Sequence, residues 1–150
     1  MKAPDSVQAL LPRLLETQKY AVLATDNHGQ PYTSLMAFSV TEDLQSFILM
    51  TERGRLKYEN LMANPRVAIM IDNRENLGSD LQEAVAVTAQ GLAEEITGAA
   101  RDEWRAFCLA RHPALHAFAD SPACALIRIK VTSYVVVRCF QEVIEWRIAT

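Results

Sequence analysis

The chain has 150 residues, with 15 Lys and Arg against 18 Asp and Glu, giving a net charge of −3. That length suits one compact domain, which buries roughly 68–70% of the surface its unfolded chain exposes. The mild acidity argues against a dedicated nucleic-acid binder, because duplex affinity rests on many phosphate contacts.

Half of the residues are apolar and 22% are charged, an ordinary globular composition. No stretch approaches the ~20 apolar residues that span a bilayer. The opening MKAPDSVQALLPRLLETQ lacks the sustained apolar run of a signal peptide, so no membrane association and a cytoplasmic location are expected. Cys108, Cys124 and Cys139 are widely spaced and form no Cys-x-x-Cys pair. They read as small apolar residues of a reducing compartment.

In chain order, Asp5 or Ser6 is expected to cap a short amphipathic helix towards Thr17. Leu10, Leu11, Leu14 and Leu15 form its apolar face, and Pro12 marks its start or a bend. YAVLAT, 20–25, has strand length, and DNHGQP, 26–31, reads as a turn broken by Gly29 and Pro31. YTSLMAFSV, 32–40, and SFILM, 46–50, read as an antiparallel pair joined by TEDLQ. RLKYENLMA follows as a short helix with Leu56, Tyr58, Leu61 and Met62 inward, stopped by Asn64-Pro65.

VAIMID, 67–72, is a strongly apolar strand and NRENLGSDLQE a polar loop. AVAVTAQGLAEEI is a further strand with Gly91 at a bend or bulge. Thr97 is the expected N-cap of a helix through His112, with Ala100, Trp104, Phe107 and Cys108 on its apolar face and Arg101, Asp102 and Arg105 towards water. The chain then resumes as strands CALIRIKV, SYVVVRC and QEVIEWRIA. About seven short strands and one principal helix predict a mostly β fold, a closed or nearly closed antiparallel barrel with a few helices. Alternating βα units, a Gly-x-Gly-x-x-Gly turn and a Walker A loop are missing from the pattern.

One segment stands apart. TERGRLKYENLMANPR, 51–66, concentrates Arg53, Arg55, Lys57 and Arg66 in an acidic chain. A strand ends there, a turn carries the arginines, and Lys57 falls in the first turn of the next helix. Helix-start N–H groups with adjacent Arg and Lys attract anions, and a phosphate monoester would suit them. A solvated charged turn is the plainer alternative.

The order AVLAT, G-x-P, strand, then T-x-x-x-R-x-K-Y-x-N-L-x-x-N-P-R-V resembles the pyridoxamine 5′-phosphate oxidase-like, FMN-binding split-barrel superfamily. The resemblance covers about Tyr20 to Gly91. From Leu109, LARHPALHAFADSPACALIRIKV and YVVVRCFQ resemble the tail of its haem-utilisation branch. It implies a single six-stranded split barrel, a homodimer, and FMN held at the dimer interface. By position, Lys57 would grip the FMN phosphate with Arg55 assisting, Thr51 would contact the phosphate or ribityl chain, and Met50 would be a further cofactor-binding residue. Ser34, Leu35 and Met36 would lie along the isoalloxazine edge. Asn73 and Arg74 would reach the cofactor, that of the partner subunit included, and Gln141 would approach the flavin face.

Leu56 stands where the vitamin-B6 oxidases carry an Arg, and Ser34 where they carry another. Trp146 and Arg147 have the residue types of their substrate-holding segment without its context. These departures argue against turnover of pyridoxamine phosphate. The reading is a flavin reductase or oxidase acting on a small molecule, with no catalytic residue singled out. The alternatives are a haem-handling protein using His112 or His116 as axial ligand, and a flavin-binding module without turnover. The histidines and cysteines show no zinc-ligand spacing.

Overall fold

The computed structural model describes residues 5–149. The side chains of Asp5 and Ser6, and with them the cap expected there, lie outside the described residues. Helix α1 (Asp5–Thr17) runs through Pro12, which sits on the exposed side while Val7, Leu11, Leu14 and Leu15 pack into the core. Strands β1 (Tyr20–Asn27) and β2 (Gln30–Ala37) form a hairpin in register from Tyr20↔Ala37 to Asn27↔Gln30. Its two-residue turn places His28 and Gly29 at φ 51° and 90°, the doubly positive geometry that suits the right-handed twist of hairpins.

Past Phe38 the same stretch continues as β3 (Ser39–Val40), which pairs with β4 (Ser46–Glu52). The expected pairing of 32–40 with 46–50 therefore holds only at its end. Residues 30–37 pair with β1 instead, and the chain crosses from one sheet edge to the other at the buried Phe38. Helix α2 (Leu56–Ala63) leads to β5 (Arg66–Asp72). Leu61 and Asn60 face the core, whereas Leu56 and Met62, expected inward, are exposed. Asn60 Nδ2 donates to Thr25 Oγ1 at 3.0 Å, which satisfies the buried amide.

The polar loop contains a single turn of helix, α3 (Asp80–Glu83), before β6 (Ala86–Glu95). The register of β6 on β7 shifts at Gln90/Gly91, where Thr132 is the extra residue. A Cβ at Gly91 would sit 2.4 Å from the Lys130 carbonyl oxygen, so only glycine allows this approach. The Thr97 hydroxyl accepts no capping N–H: a 3-10 turn, Gly98–Ala100, precedes α4 (Arg101–Arg111), whose N-cap is Ala100. In α4, Cys108 is buried and Trp104 half-buried, but Phe107 is exposed. Arg101 and Arg105 are not free in water; they bond the Cys124 carbonyl and Asp120. A second 3-10 turn, Pro113–Leu115, runs into α5 (His116–Asp120).

The two strands expected at CALIRIKV and SYVVVRC are one, β7 (Cys124–Arg138), followed by β8 (Glu142–Arg147). The sheet order is β2-β1-β5-β6-β7-β4-β3, with β8 added beside β7. All pairings are antiparallel, and the six strands β1, β2 and β4–β7 carry the barrel. Among the described residues the fold is mostly β, a curled half-barrel with five helices, consistent with a split barrel.

The main core fills the barrel with Phe38, Phe47, Leu23, Ile69 and Tyr134. A smaller cluster under α4 and α5 takes Ile48, Met50, Cys108 and Leu126. β4 is thus covered on both faces, which explains why FILM, 47–50, is apolar without alternation. Among the described residues no helix is long and apolar enough to cross a membrane.

Candidate functional site

A seam lies between the edge strand β2 and the end of β4 that runs past its short pairing with β3. At this seam lies a cleft of about 460 Å³, lined by Leu35, Met36 and Ala37 of β2 and by Met50, Thr51 and Glu52 of β4. Arg55 and Lys57 close one end, and Leu115 and Phe118 form a wall. That volume falls within the range of about 300–1,000 Å³ usual for small-molecule sites.

Polar chemistry concentrates at the α2 end. Arg55 is the N-cap of α2 and makes no side-chain cap bond. The first-turn N–H groups of Leu56, Lys57 and Tyr58 therefore have no intrahelical acceptor, and the helix start is electropositive. Thr51 is 2% exposed, and its Oγ1 has no hydrogen-bond partner among the described residues. A buried hydroxyl without a partner is costly, so a group that satisfies it is favoured. Lys57 makes no ion pair or hydrogen bond among the described residues. Arg55 Nε donates to Glu52 Oε2 at 3.0 Å, an exposed pair.

Arg53 points elsewhere. Its Nη2 meets Glu95 Oε2 at 2.7 Å, and its Nη1 donates to the Pro122 carbonyl at 3.0 Å. Tyr58 donates its hydroxyl to Glu95 Oε1 at 2.6 Å. The Arg53 hydrogen bond, seconded by that of Tyr58, holds the Glu95 carboxyl below its ordinary range; the bond to Glu95 raises the Tyr58 phenol. Arg53 is a strut, not a ligand group.

Of the residues singled out in the sequence, Leu35, Met36, Met50, Thr51, Arg55 and Lys57 meet in the cleft. Ser34 is the β2 neighbour opposite Leu23 and does not line it. Arg74 borders a smaller adjoining hollow that shares Leu35, and it pairs with Asp72 at 3.2 Å. Asn73 is structural in this chain: its Oδ1 accepts the Val85 N–H at 2.7 Å and closes the β5–β6 loop. Gln141 lies in the β7–β8 turn, at the opposite end of β7 from Ala125, the partner of Thr51. Neither Asn73 nor Gln141 lines the cleft within one chain.

Sequence reasoning missed Ala37, Glu52, Leu115 and Phe118. Leu115 and Phe118 are three apart in PALHAF, a spacing that puts both on one helical face. Of the two histidines considered as axial ligands, His112 is committed, its Nε2 lying 2.7 Å from the Phe38 carbonyl. His116 Nδ1 lies 3.3 Å from Asp120.

A groove of about 470 Å³ lies on the outer sheet face, lined by Asp26, Pro31, Arg66, Gln90 and Leu92 among others. It matches the cleft in size but not in chemistry. None of the partnerless buried side-chain atoms found among the described residues, in Ser39, Thr51 and Arg111, borders it.

Known proteins share this architecture. A family model described as pyridoxamine 5′-phosphate oxidase matches residues 7–137. A Schizosaccharomyces pombe protein, a pyridoxamine 5′-phosphate oxidase homolog, is 36% identical over 69 residues, 41% of this chain and 36% of that one. The heme binding protein of Mycobacterium smegmatis has a TM-score of 0.81 at 19% identity, covering 98% of this chain and 60% of that one. A FAD-binding protein from Mesorhizobium loti has a TM-score of 0.71 at 18% identity, covering 90% and 93%. The chain therefore spans about a third of the yeast protein and three fifths of the mycobacterial one. At such identities the structural likenesses speak for the fold, while the family match extends over most of the sequence. On that match the chain belongs to the pyridoxamine 5′-phosphate oxidase family.

Proposed function

We propose that the chain is an FMN-binding flavoprotein, an oxidoreductase acting on a small molecule, with the FMN phosphate seated at the start of α2. One observation carries the reading: the partnerless buried hydroxyl of Thr51 shares a cleft with the unpaired Lys57 and a helix N-terminus. A phosphate monoester supplies the acceptor oxygens that all three lack. Lys57 contributes charge, Thr51 a donor, and the N–H groups of α2 fixed dipoles. Met36, Met50, Leu115 and Phe118 offer an apolar surface for a planar ring and exclude water from it. A bound flavin supplies hydride or electron transfer.

A homodimer belongs to the same proposal. Leu35, Val22, Met70, Thr88 and Val135 are cross-strand neighbours in one row on the outer face, and Leu35 is 73% exposed. Such a row suits burial against a second copy. That arrangement would also allow Asn73 or Gln141 of one chain to approach the cleft of the other.

The purified protein titrated with FMN is the test. Saturable binding with a yellow flavin band is expected, and bleaching by NADH or NADPH followed by reoxidation in air separates turnover from a flavin-binding module. No binding at tens of micromolar FMN overturns the reading.

A haem-handling role is the second reading. His116 engages Asp120 through Nδ1, which leaves Nε2 for a metal, on the helix that carries Phe118 into the cleft. A Soret band on haem addition that is lost in His116→Ala would favour it.

A further inference from the structure

We infer that Glu52 is a built-in counter-ion of the phosphate seat, and that it lowers the affinity of the cleft for a dianionic ligand. The inference rests on the FMN reading above and concerns how strongly that site holds a charged group.

Glu52 and Arg55 both line the cleft, and the Glu52 carboxylate already occupies Arg55 Nε at 3.0 Å. The other acid near the turn, Glu95, is committed to Arg53 and Tyr58 and does not border the cleft. The charges left at the seat are Arg55 and Lys57 against Glu52, a net of one positive. A phosphate monoester brings close to two negative charges.

The pair itself yields easily. Arg55 is 69% exposed and Glu52 40%, and ion pairs so exposed contribute little, so Arg55 can turn to an incoming phosphate. The carboxylate cannot leave with equal ease. Glu52 is the last residue of β4, held in register with Cys124, and it directly follows Thr51. Because Glu52 lines the same cleft as Thr51 and Lys57, a dianion seated on those two keeps a carboxylate as its neighbour. At a separation of roughly 6 Å, even the dielectric of water makes that repulsion worth about tenfold in binding, less once salt screens it. A ligand without the phosphate does not experience it.

The experiment compares FMN with riboflavin on the full chain, by flavin fluorescence, at low and high salt. Wild type, Glu52→Gln and Lys57→Ala are each titrated, with thermal unfolding recorded to confirm folding. Glu52→Gln is expected to bind FMN about three- to tenfold more tightly at low salt, with the gain shrinking at high salt. Riboflavin affinity should not change. Unchanged or weaker FMN binding by Glu52→Gln, with Lys57→Ala still impaired, overturns this inference and leaves the phosphate seat standing. Equal gains for FMN and riboflavin also overturn it, since charge would not be the cause. If Lys57→Ala binds FMN like wild type, the seat is misplaced and both readings fall.

Discussion

Arg53 and Lys57 are four residues apart on the same bend, and they do opposite work. The Arg53 side chain has two partners, Glu95 and the Pro122 carbonyl, and Glu95 in turn accepts from Tyr58. It joins the end of β4 to the end of β6 and to the start of β7. Lys57 faces the cleft and has no partner among the described residues. One cation is spent on shape, and the other keeps its charge for something that arrives from outside. A count of positive residues along 51–66 cannot make that distinction; the position of one acid, Glu95, makes it.

Removing Arg53 should break the comparison most visibly. Arg53→Ala leaves Glu95 largely buried without its cation and should destabilise the fold by about 2–4 kcal/mol, somewhat discounted because Arg53 is 37% exposed. Denaturant unfolding measures the loss, and flavin affinity of the folded fraction should change little. Lys57→Ala reverses the pattern. It should weaken FMN binding by about 1.5–3 kcal/mol, as for hydrogen bonds to charged groups. Its unfolding free energy without ligand should stay within about 0.5 kcal/mol of wild type. Loss of stability in this variant, with retention of affinity, would exchange the two roles. Arg55→Ala should fall below Lys57→Ala, at roughly 1 kcal/mol of affinity, because Glu52 already shares its guanidinium.

A pH series sharpens the Arg53 side. The folded Glu95 carboxyl is depressed, so its contribution is complete above the ordinary carboxylate range near 4.3 and is lost as pH falls through its lower folded value. Glu95→Gln should therefore be less stable than wild type at pH 7, and the difference should close in strong acid. A gap independent of pH would remove charge from the explanation. The smallest effect concerns thiols. Burial pushes the Cys108 thiol up to about 11 and raises Cys124 as well, whereas Cys139 is exposed. In the native protein an alkylating reagent should modify Cys139 alone, leaving Cys108 and Cys124 to react only on unfolding.

Much of the barrel was legible because its signals are local. YAVLAT and VAIMID are apolar runs of strand length, and Gly91 marks the irregularity that the β6–β7 register confirms. The turn read over 26–31 is present but shrinks to His28-Gly29, because Asp26, Asn27, Gln30 and Pro31 join the hairpin. The basic bend was legible for the same reason: strand end, turn and helix start are consecutive. What escaped depends on distant partners. β7 was read as two strands because Lys130, Thr132 and Ser133 interrupt the apolar pattern, yet Ser133 is buried against Gln90 and Thr132 is the bulged residue. The kink at Phe38 has no breaker to announce it; it exists because β1 claims residues 30–37 and β4 claims 39–40. The cleft wall at Leu115 and Phe118 shows as helical spacing, but the fold alone brings it against Met50. Leu56 and Met62 were assigned inward from spacing, and the short α2 has room to bury only one side, through Asn60 and Leu61.

β7 runs beside three neighbours, β4, β6 and β8, and it begins only at Cys124. During synthesis, β4 and β6 emerge from the ribosome with no mate on that flank and wait until Cys124–Arg138 is delivered. Release of a chain truncated before Cys124 would leave two apolar ribbons open to any passing strand. Delivery of β7 is therefore the event that closes the barrel, and chains stopped before Cys124 should aggregate or be degraded instead of giving a partly working product.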